Sequence, residues 1–136
     1  MSYTKLDLLQ DLADMGLTGQ ETILIHSSMK SIGPVDGGAD TVLDALMEFF
    51  RPGLLLLPTH TWRTINAANP VFDVCTSPCC VGILPELFRQ RPGVVRSLHP
   101  THSMAGYGQQ AVSYLAGEEL RTAPSIPPER WAGFHA

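Results

Sequence analysis

The chain has 136 residues, 44% of them hydrophobic and 16% charged, which is typical of a single globular domain with one hydrophobic core. Nine lysines and arginines stand against 13 aspartates and glutamates, and a net charge of −4 leaves no basic surface for phosphates, so no nucleic-acid partner is expected. The longest apolar run, 54–57, is far shorter than the roughly 20 residues of a membrane-spanning helix. The N-terminus also lacks a secretory signal pattern, so we expect no membrane span and a cytoplasmic protein.

Apolar residues at helical spacing or in unbroken runs predict four elements in the first 60 residues. They are a helix over 4–15, a buried strand over 22–26, a helix over 39–50 and a second core strand over 54–57. Thr4 is a suitable N-cap for the first helix and Gly16 a suitable end. The serines and glycines of 27–38 predict a long loop between the first strand and the second helix.

The second half begins with 60–81, a long segment without periodicity that contains two aromatic residues and three cysteines. This composition argues against disorder and indicates a functional loop. The elements predicted beyond it are a helix over 82–90, a strand over 102–106 and a helix over 109–116. The prolines after 120 predict that 121–136 is a loose tail.

Alternating helices and strands predict an α/β fold, a layered sheet whose strands are joined by crossover helices. Ligands of such folds bind at the carboxyl ends of the strands. This rule selects His26 to Ser28 after the first strand and Thr59 to Trp62 after the second.

The segment after the first strand combines hydroxyl groups, successive backbone N–H groups and a lysine ahead of a helix. Its residues are His26, Ser27, Ser28, Met29, Lys30 and Ser31. Such a combination suits a phosphate or pyrophosphate. The alternative is a turn whose serines satisfy local backbone groups, and the residues alone leave both interpretations open.

A second polar cluster lies at 96–103. Arg96 has the geometry to bind a phosphate through two parallel hydrogen bonds, and Ser97 adds a hydroxyl. His99 is a candidate hydrogen-bond donor or general acid or base. The alternative is a loop with internally hydrogen-bonded histidines.

Cys75, Cys79 and Cys80 lack the paired Cys-x2-Cys spacing of structural zinc sites, so no metal is predicted. Reduced thiols are the expected state in the cytoplasm. A cysteine nucleophile at Cys79 or Cys80 with His99 as base stays open, whereas the serine-hydrolase motif Gly-x-Ser-x-Gly is absent.

Two further residues of the long segment are candidates for substrate contact. Asp73 either holds a cationic group or caps a turn, and Trp62 either stacks on a ligand or packs in the core.

Seven short motifs follow one another between about residues 20 and 110. They are His-Ser-Ser-Met-Lys-Ser-Ile-Gly from His26, Gly-Gly-Ala-Asp-Thr-Val from Gly37, Leu-Leu-Leu-Leu-Pro-Thr from Leu54, Asn-Pro-Val-Phe-Asp from Asn69, Ser-Pro from Ser77, Gly-Ile-Leu-Pro-Glu-Leu-Phe-Arg from Gly82, and Pro-Gly-Val-Val-Arg-Ser-Leu-His-Pro-Thr-His-Ser from Pro92. In this order and spacing they resemble the aminoglycoside 3-N-acetyltransferase (antibiotic acetyltransferase) family.

The resemblance implies transfer of an acetyl group from acetyl-CoA to the 3-amino group of a 2-deoxystreptamine aminoglycoside, which inactivates the antibiotic. It implies that 26–31 meets the pantetheine and pyrophosphate of CoA, the cosubstrate. The other residues implied to contact ligands are Arg96, Ser97 and His99 for CoA, and Trp62 and Asp73 for the aminoglycoside.

Members of this family are about twice as long, and their catalytic histidine lies in a Gly-x-x-His-x-x-Asn-Thr-like segment that has no match here. We therefore expect 1–136 to be a single, partial domain, truncated to the N-terminal half, without the general base whose help is typically worth about 10²–10⁴-fold. The alternatives are a non-catalytic CoA- or nucleotide-binding remnant and a cysteine hydrolase. The catalytic residue, the preferred antibiotic and the oligomeric state stay unassigned.

Overall fold

A computed structural model describes residues 1–118 of the chain. The helices in this range are α1 Lys5–Asp14, α2 Met29–Ile32, α3 Gly38–Phe49, α4 Ile83–Phe88 and α5 Ala111–Leu115. The strands are β1 Thr22–Leu24, β2 Leu54–Pro58, β3 Val95–Arg96 and β4 Met104–Gly108. The predicted loose tail, 121–136, lies outside the described residues.

The four strands form one sheet in the order β1-β2-β4-β3. β1 runs parallel to β2, with Thr22 opposite Leu54, and α2 and α3 form the crossover between these two strands. β4 lies antiparallel to both β2 and β3. The predicted α/β class with crossover helices is confirmed, while the antiparallel β4 gives the sheet a mixed character.

β2 is the central element of the core, and it is buried along its whole length. Leu55 and Leu57 point into a cluster with α3 and α4, which includes Phe50 and Phe88. Leu54 and Leu56 point to the other face, where they meet β4 and α5. Because both faces of β2 are buried by other elements, its sequence is a continuous apolar run and does not alternate between apolar and polar residues.

The first strand differs from its prediction. It covers Thr22–Leu24 rather than 22–26, and it is a half-buried edge strand, not a buried one. β2 is its sole hydrogen-bonded partner among the described strands, so one side of β1 is left without a neighbouring strand. Within the predicted loop 27–38, the residues Met29–Ile32 form the single helical turn α2.

The start of α1 agrees with its prediction. The Thr4 side chain accepts a hydrogen bond from the backbone N–H of Asp7, and the Asp7 carboxylate accepts from the N–H of Thr4. This reciprocal capping box satisfies two backbone donors at the helix start. Leu8 and Leu12 pack against the core, whereas Leu6 is 76% exposed.

Gly108, at the end of β4, is required for close approach of the backbone. Its φ is +116°, and a Cβ atom there would lie 2.3 Å from the carbonyl oxygen of Gly53. Gly108→Ala is expected to lower the free energy of unfolding by about 2–4 kcal/mol, since backbone strain and steric overlap add. Gly16→Ala is the matched control, because Gly16 also has a positive φ but no atom within 4 Å of its Cβ position, and about 1 kcal/mol is expected. Urea denaturation compares the two variants, and equal losses would contradict the steric argument.

Candidate functional site

The sheet topology brings the polar segments together at one edge of the sheet, the edge formed by the carboxyl ends of β1, β2 and β3. β1, β2 and β3 end at this edge and the antiparallel β4 begins there. The residues that follow or precede these ends are His26, Thr59, Ser97 and Ser103. The strand-end rule applied to the sequence therefore selects the right edge, although β3 was not predicted as a strand.

The first predicted segment lines a cavity of about 370 Å³. One wall consists of Ser27–Lys30 and the other of 81–84, where α4 begins. The Ser28 side chain makes no capping hydrogen bond to α2, and the Ser27 Oγ atom is buried with no hydrogen-bond partner among the described residues. The Ser28 hydroxyl is therefore exposed beside the cavity, whereas the Ser27 hydroxyl is buried in the cavity wall with its hydrogen-bonding capacity unused.

Two helices begin at this cavity, α2 after Ser28 and α4 after Gly82. The first backbone N–H groups of any helix have no partner within the helix, so both walls offer donors to an anionic or carbonyl-bearing ligand. The walls are otherwise apolar, through side chains such as Met29 and Ile83. A ligand with an apolar chain and polar groups at intervals fits this lining. The sequence did not single out 81–84, because only tertiary packing brings it opposite 27–30.

The outer residues of the first segment are placed differently. His26 and Ser31 are exposed, and neither lines the cavity. Lys30 is also exposed but belongs to the cavity wall. The structure therefore brings four of the six predicted residues, 27–30, to one cavity.

Arg96 is 7% exposed, and its guanidinium donates to four acceptors inside the protein. Nε donates to Ser103 Oγ at 3.2 Å and Nη2 to the carbonyl oxygen of Thr59 at 3.1 Å. Nη1 donates to the carbonyl oxygens of Ser77 at 2.6 Å and Val74 at 3.4 Å. Burial lowers the pKa of Arg96, but a guanidinium stays protonated at any physiological pH.

Ser97 and His99 also have partners within the fold. Ser97 Oγ accepts a hydrogen bond from the N–H of Met104 at 2.9 Å. His99 Nδ1 accepts from the N–H groups of His102 at 2.9 Å and Thr101 at 3.3 Å, and the residue is 8% exposed. An accepting Nδ1 places the proton of the neutral ring on Nε2. Contact of these residues with a cosubstrate stays a prediction.

Four histidines gather at the same edge, which the sequence did not indicate as a group. The ring centroids of His60 and His102 are 4.9 Å apart, and those of His99 and His102 are 5.6 Å apart. Burial, with smaller contributions from electrostatic repulsion by His102, His26 and His99, lowers the pKa of His60 from 6.5 to about 4. His60 is therefore neutral at pH 7.

The depressed pKa of His60 predicts acid destabilisation. The unfolded chain takes up a proton on this ring near pH 6.5, whereas the folded chain does so only near pH 4, so stability falls as the pH drops through this window. Because the ring is only partly buried, we expect a loss of about 1–3 kcal/mol rather than the full value of the shift. Urea denaturation from pH 7.5 to pH 4 should show a smaller loss for His60→Gln than for the unmodified chain. An identical pH dependence for both would contradict this role of His60.

Asp73 and Trp62 lie in the segment between β2 and α4. Asp73 Oδ1 accepts from the N–H groups of Cys75 at 2.8 Å and Thr76 at 3.1 Å, and these bonds lower the pKa of the carboxyl group. The turn-capping interpretation is thus confirmed, and the exposed carboxylate is also ionised. Trp62 is 48% exposed, so it is not a core residue, and the guanidinium of Arg63 lies 5.5 Å from its ring centroid.

The thiols give little support to a cysteine nucleophile. Burial raises the pKa of Cys79, which disfavours the reactive thiolate. The Cys80 thiol donates to the carbonyl oxygen of His60 at 3.3 Å. Cys75 is exposed.

Within residues 1–118, no three His, Cys, Asp or Glu side chains are grouped so that they could share a metal ion. The same residues include no helix with the length and hydropathy required to cross a bilayer.

Comparison with known proteins connects this geometry to a family. The family model for aminoglycoside 3-N-acetyltransferases matches residues 24–125, which include both walls of the cavity and the four strand ends. The chain belongs to this family. Aminoglycoside N(3)-acetyltransferase III of Salmonella sp is 31% identical over 95% of the chain and 52% of its own length. Aminoglycoside N(3)-acetyltransferase VII of Streptomyces paromomycinus is 33% identical over 83% and 46%, respectively. The chain thus spans about half the length of these family members.

Solved structures of the family share the fold. AAC-VIa bound to sisomicin superposes with a TM-score of 0.83 at 30% identity, covering 96% of this chain and 56% of that one. The binary complex of AAC-IIIb with CoASH gives a TM-score of 0.76 at 26% identity, covering 87% and 50%. The four-stranded sheet and its helices therefore correspond to part of a larger family domain.

Proposed function

We propose that the protein acts in acetyl-CoA-dependent N-acetylation of the 3-amino group of aminoglycoside antibiotics, and that the described residues form the CoA side of the site. The observation that carries the proposal is the cavity between 27–30 and 81–84, within the segment that matches the family. Its alternating apolar and hydrogen-bonding lining suits the pantetheine arm of CoA. Relatives with bound CoASH and bound sisomicin support the two ligand classes.

The contacts follow from the chemistry of the lining. The hydroxyl groups of Ser27 and Ser28 and the N–H groups at the starts of α2 and α4 would bind the carbonyl or phosphate oxygens of CoA. Lys30 would neutralise part of the negative charge. His26, Ser31, Arg96, Ser97 and His99, which the family resemblance also assigns to CoA, surround this edge.

The aminoglycoside would lie on the side of Asp73 and Trp62. Both side chains are exposed, and the ionised Asp73 carboxylate would attract an ammonium group of the antibiotic. The reaction forms a bond between the amine nitrogen and the acetyl carbonyl carbon and breaks the bond from that carbon to the CoA sulfur. The amine gives up one proton and the departing CoA thiolate takes up one, so the products are the amide and CoASH. No described residue is assigned as the base that accepts this proton. A cytoplasmic location, where acetyl-CoA is present, completes the proposal.

Mass spectrometry tests the proposed reaction directly. Incubation of the protein with acetyl-CoA and sisomicin is expected to add one acetyl group to the antibiotic, at a rate lowered by about 10²–10⁴-fold where the general base is missing. Omission of acetyl-CoA leaves the antibiotic unmodified. The second candidate function is CoA binding without catalysis. The internal hydrogen bonds of Arg96 and His99 favour it, because they leave these side chains little freedom to act on a substrate. It predicts CoA binding without acetylated product. Absence of both binding and product would reject both candidates.

A further inference from the structure

The buried guanidinium of Arg96 contacts the protein in an arrangement that a ligand-binding role does not require. Four of its five N–H groups already donate to Ser103 Oγ and to the carbonyl oxygens of Thr59, Val74 and Ser77. A phosphate bound through two parallel hydrogen bonds needs a pair of free N–H groups. At most one N–H group is left, so the phosphate-binding geometry expected from the sequence is already occupied by the protein.

The contacts of Arg96 flank Asp73 on both sides in the sequence, with the Phe72 ring before it and two carbonyl acceptors after it. The guanidinium carbon lies 5.0 Å from the ring centroid of Phe72, and Nη1 reaches the carbonyl oxygen of Val74. Nη1 also contacts the carbonyl oxygen of Ser77, the residue that closes the Asp73 turn. Ser77 Oγ accepts from the N–H of Asp73 at 2.8 Å, and the N–H of Ser77 donates to the carbonyl oxygen of Asp73 at 2.9 Å.

The remaining contacts of Arg96 join this turn to the sheet. Thr59 follows β2 and Ser103 precedes β4, and both are fully buried. Thr59 and Ser103 also bond to each other, with 2.9 Å between their hydroxyl oxygens. The Arg96 guanidinium therefore connects the turn 72–77 to the ends of two strands. Without this connection the turn would be free to move, and the Asp73 carboxylate would move with it.

We infer that Arg96 is a positioning residue, which holds the turn 72–77 against the strand ends and so fixes the Asp73 carboxylate toward the amine-bearing substrate. The inference rests on the proposed function for the identity of that substrate. Arg96 itself touches neither ligand. An Arg at this position serves better than Lys, because only the guanidinium presents donors in several directions within one plane.

The experiment compares Arg96→Met and Arg96→Lys with the unmodified chain, and Arg51→Met serves as the matched control because Arg51 is exposed at the opposite edge of the sheet. NMR titration of Asp73 gives a readout that needs no ligand. Loss of the turn in Arg96→Met should raise the pKa of Asp73 toward 3.8, since the N–H groups of Cys75 and Thr76 then no longer hold the charged form. Arg96→Lys should give an intermediate value, and Arg51→Met no change.

Calorimetric titrations with sisomicin and with CoA separate positioning from ligand binding. We expect sisomicin affinity to fall about tenfold or more in Arg96→Met while CoA affinity stays within about twofold of the unmodified chain. Weakened CoA binding with an unchanged Asp73 pKa would overturn the inference and restore Arg96 as a phosphate ligand. If the unmodified chain binds neither ligand, the proposed function fails, and the pKa of Asp73 alone decides whether Arg96 positions the turn. Arg96→Lys keeps the test valid if Arg96→Met does not fold.

Discussion

Replacing Ser28 by tryptophan is expected to weaken CoA binding at least about 100-fold, equivalent to about 2.7 kcal/mol. Ser28 lines the cavity of about 370 Å³ between 27–30 and 81–84, and an indole added there occupies the volume that the pantetheine arm needs. The substitution should leave the fold intact, because Ser28 is exposed and its side chain makes no capping hydrogen bond.

Ser113→Trp is the matched control for this substitution. Ser113 is exposed on α5, which follows the opposite end of β4, so the same indole is added far from the cavity. Calorimetric titration of each variant with CoA, alongside thermal unfolding, separates occupation of the cavity from damage to the fold. Equal CoA affinity in the two variants would show that CoA does not use this cavity.

Replacing Phe88 by alanine is expected to lower the free energy of unfolding by about 3–5 kcal/mol. Phe88 is fully buried on α4, in the cluster that joins this helix to α3 and β2. The loss is a large part of the about 5–15 kcal/mol by which a typical domain is stable. Because α4 also supplies one wall of the cavity, CoA affinity should fall together with stability.

Ile83→Ala, on the same helix, is the control for Phe88→Ala. Ile83 is 51% exposed, so removal of its side chain should cost less than about 1 kcal/mol. Urea denaturation of both variants gives the comparison. A loss below about 1 kcal/mol for Phe88→Ala would contradict the packing of α4 against the core.

Local patterns in the sequence were sufficient for the strongest elements. The capping residues Thr4 and Asp7 define the start of α1, and the run 54–57 identifies β2, because both signals act within a few residues. The strand-end rule then placed His26 and Thr59 at one edge. These predictions need no knowledge of distant contacts.

Elements that depend on a neighbour were missed or misjudged. β3 has two residues and exists only through its pairing with β4, so no periodicity reveals it. β1 resembles a buried strand in its composition, but its edge position leaves it half-buried. Composition does not specify the position of a strand within the sheet.

In the candidate site, too, groups that are adjacent in the sequence could be predicted, whereas groups brought together by tertiary packing could not. The hydroxyl-rich segment 27–30 is visible in the sequence. Its partner 81–84 lies about 50 residues away, and the sequence indicates it as the start of a helix and of a family motif, not as a ligand-binding segment. Arg96 was recognised as a polar residue in a loop, but its burial under the turn 72–77 depends on contacts up to 37 residues distant. Burial decides whether an arginine binds a ligand or the protein, and only the structure gives it.

Our main claim is that CoA binds in the cavity between 27–30 and 81–84. NMR mapping of the backbone amide chemical shifts that change on addition of CoA tests this claim most directly. The account predicts that the largest changes fall on 27–30 and on 81–84, the two walls of the cavity. Changes confined to the cavity lined by residues of 93–116 at the opposite edge, or no changes at saturating CoA, would contradict it.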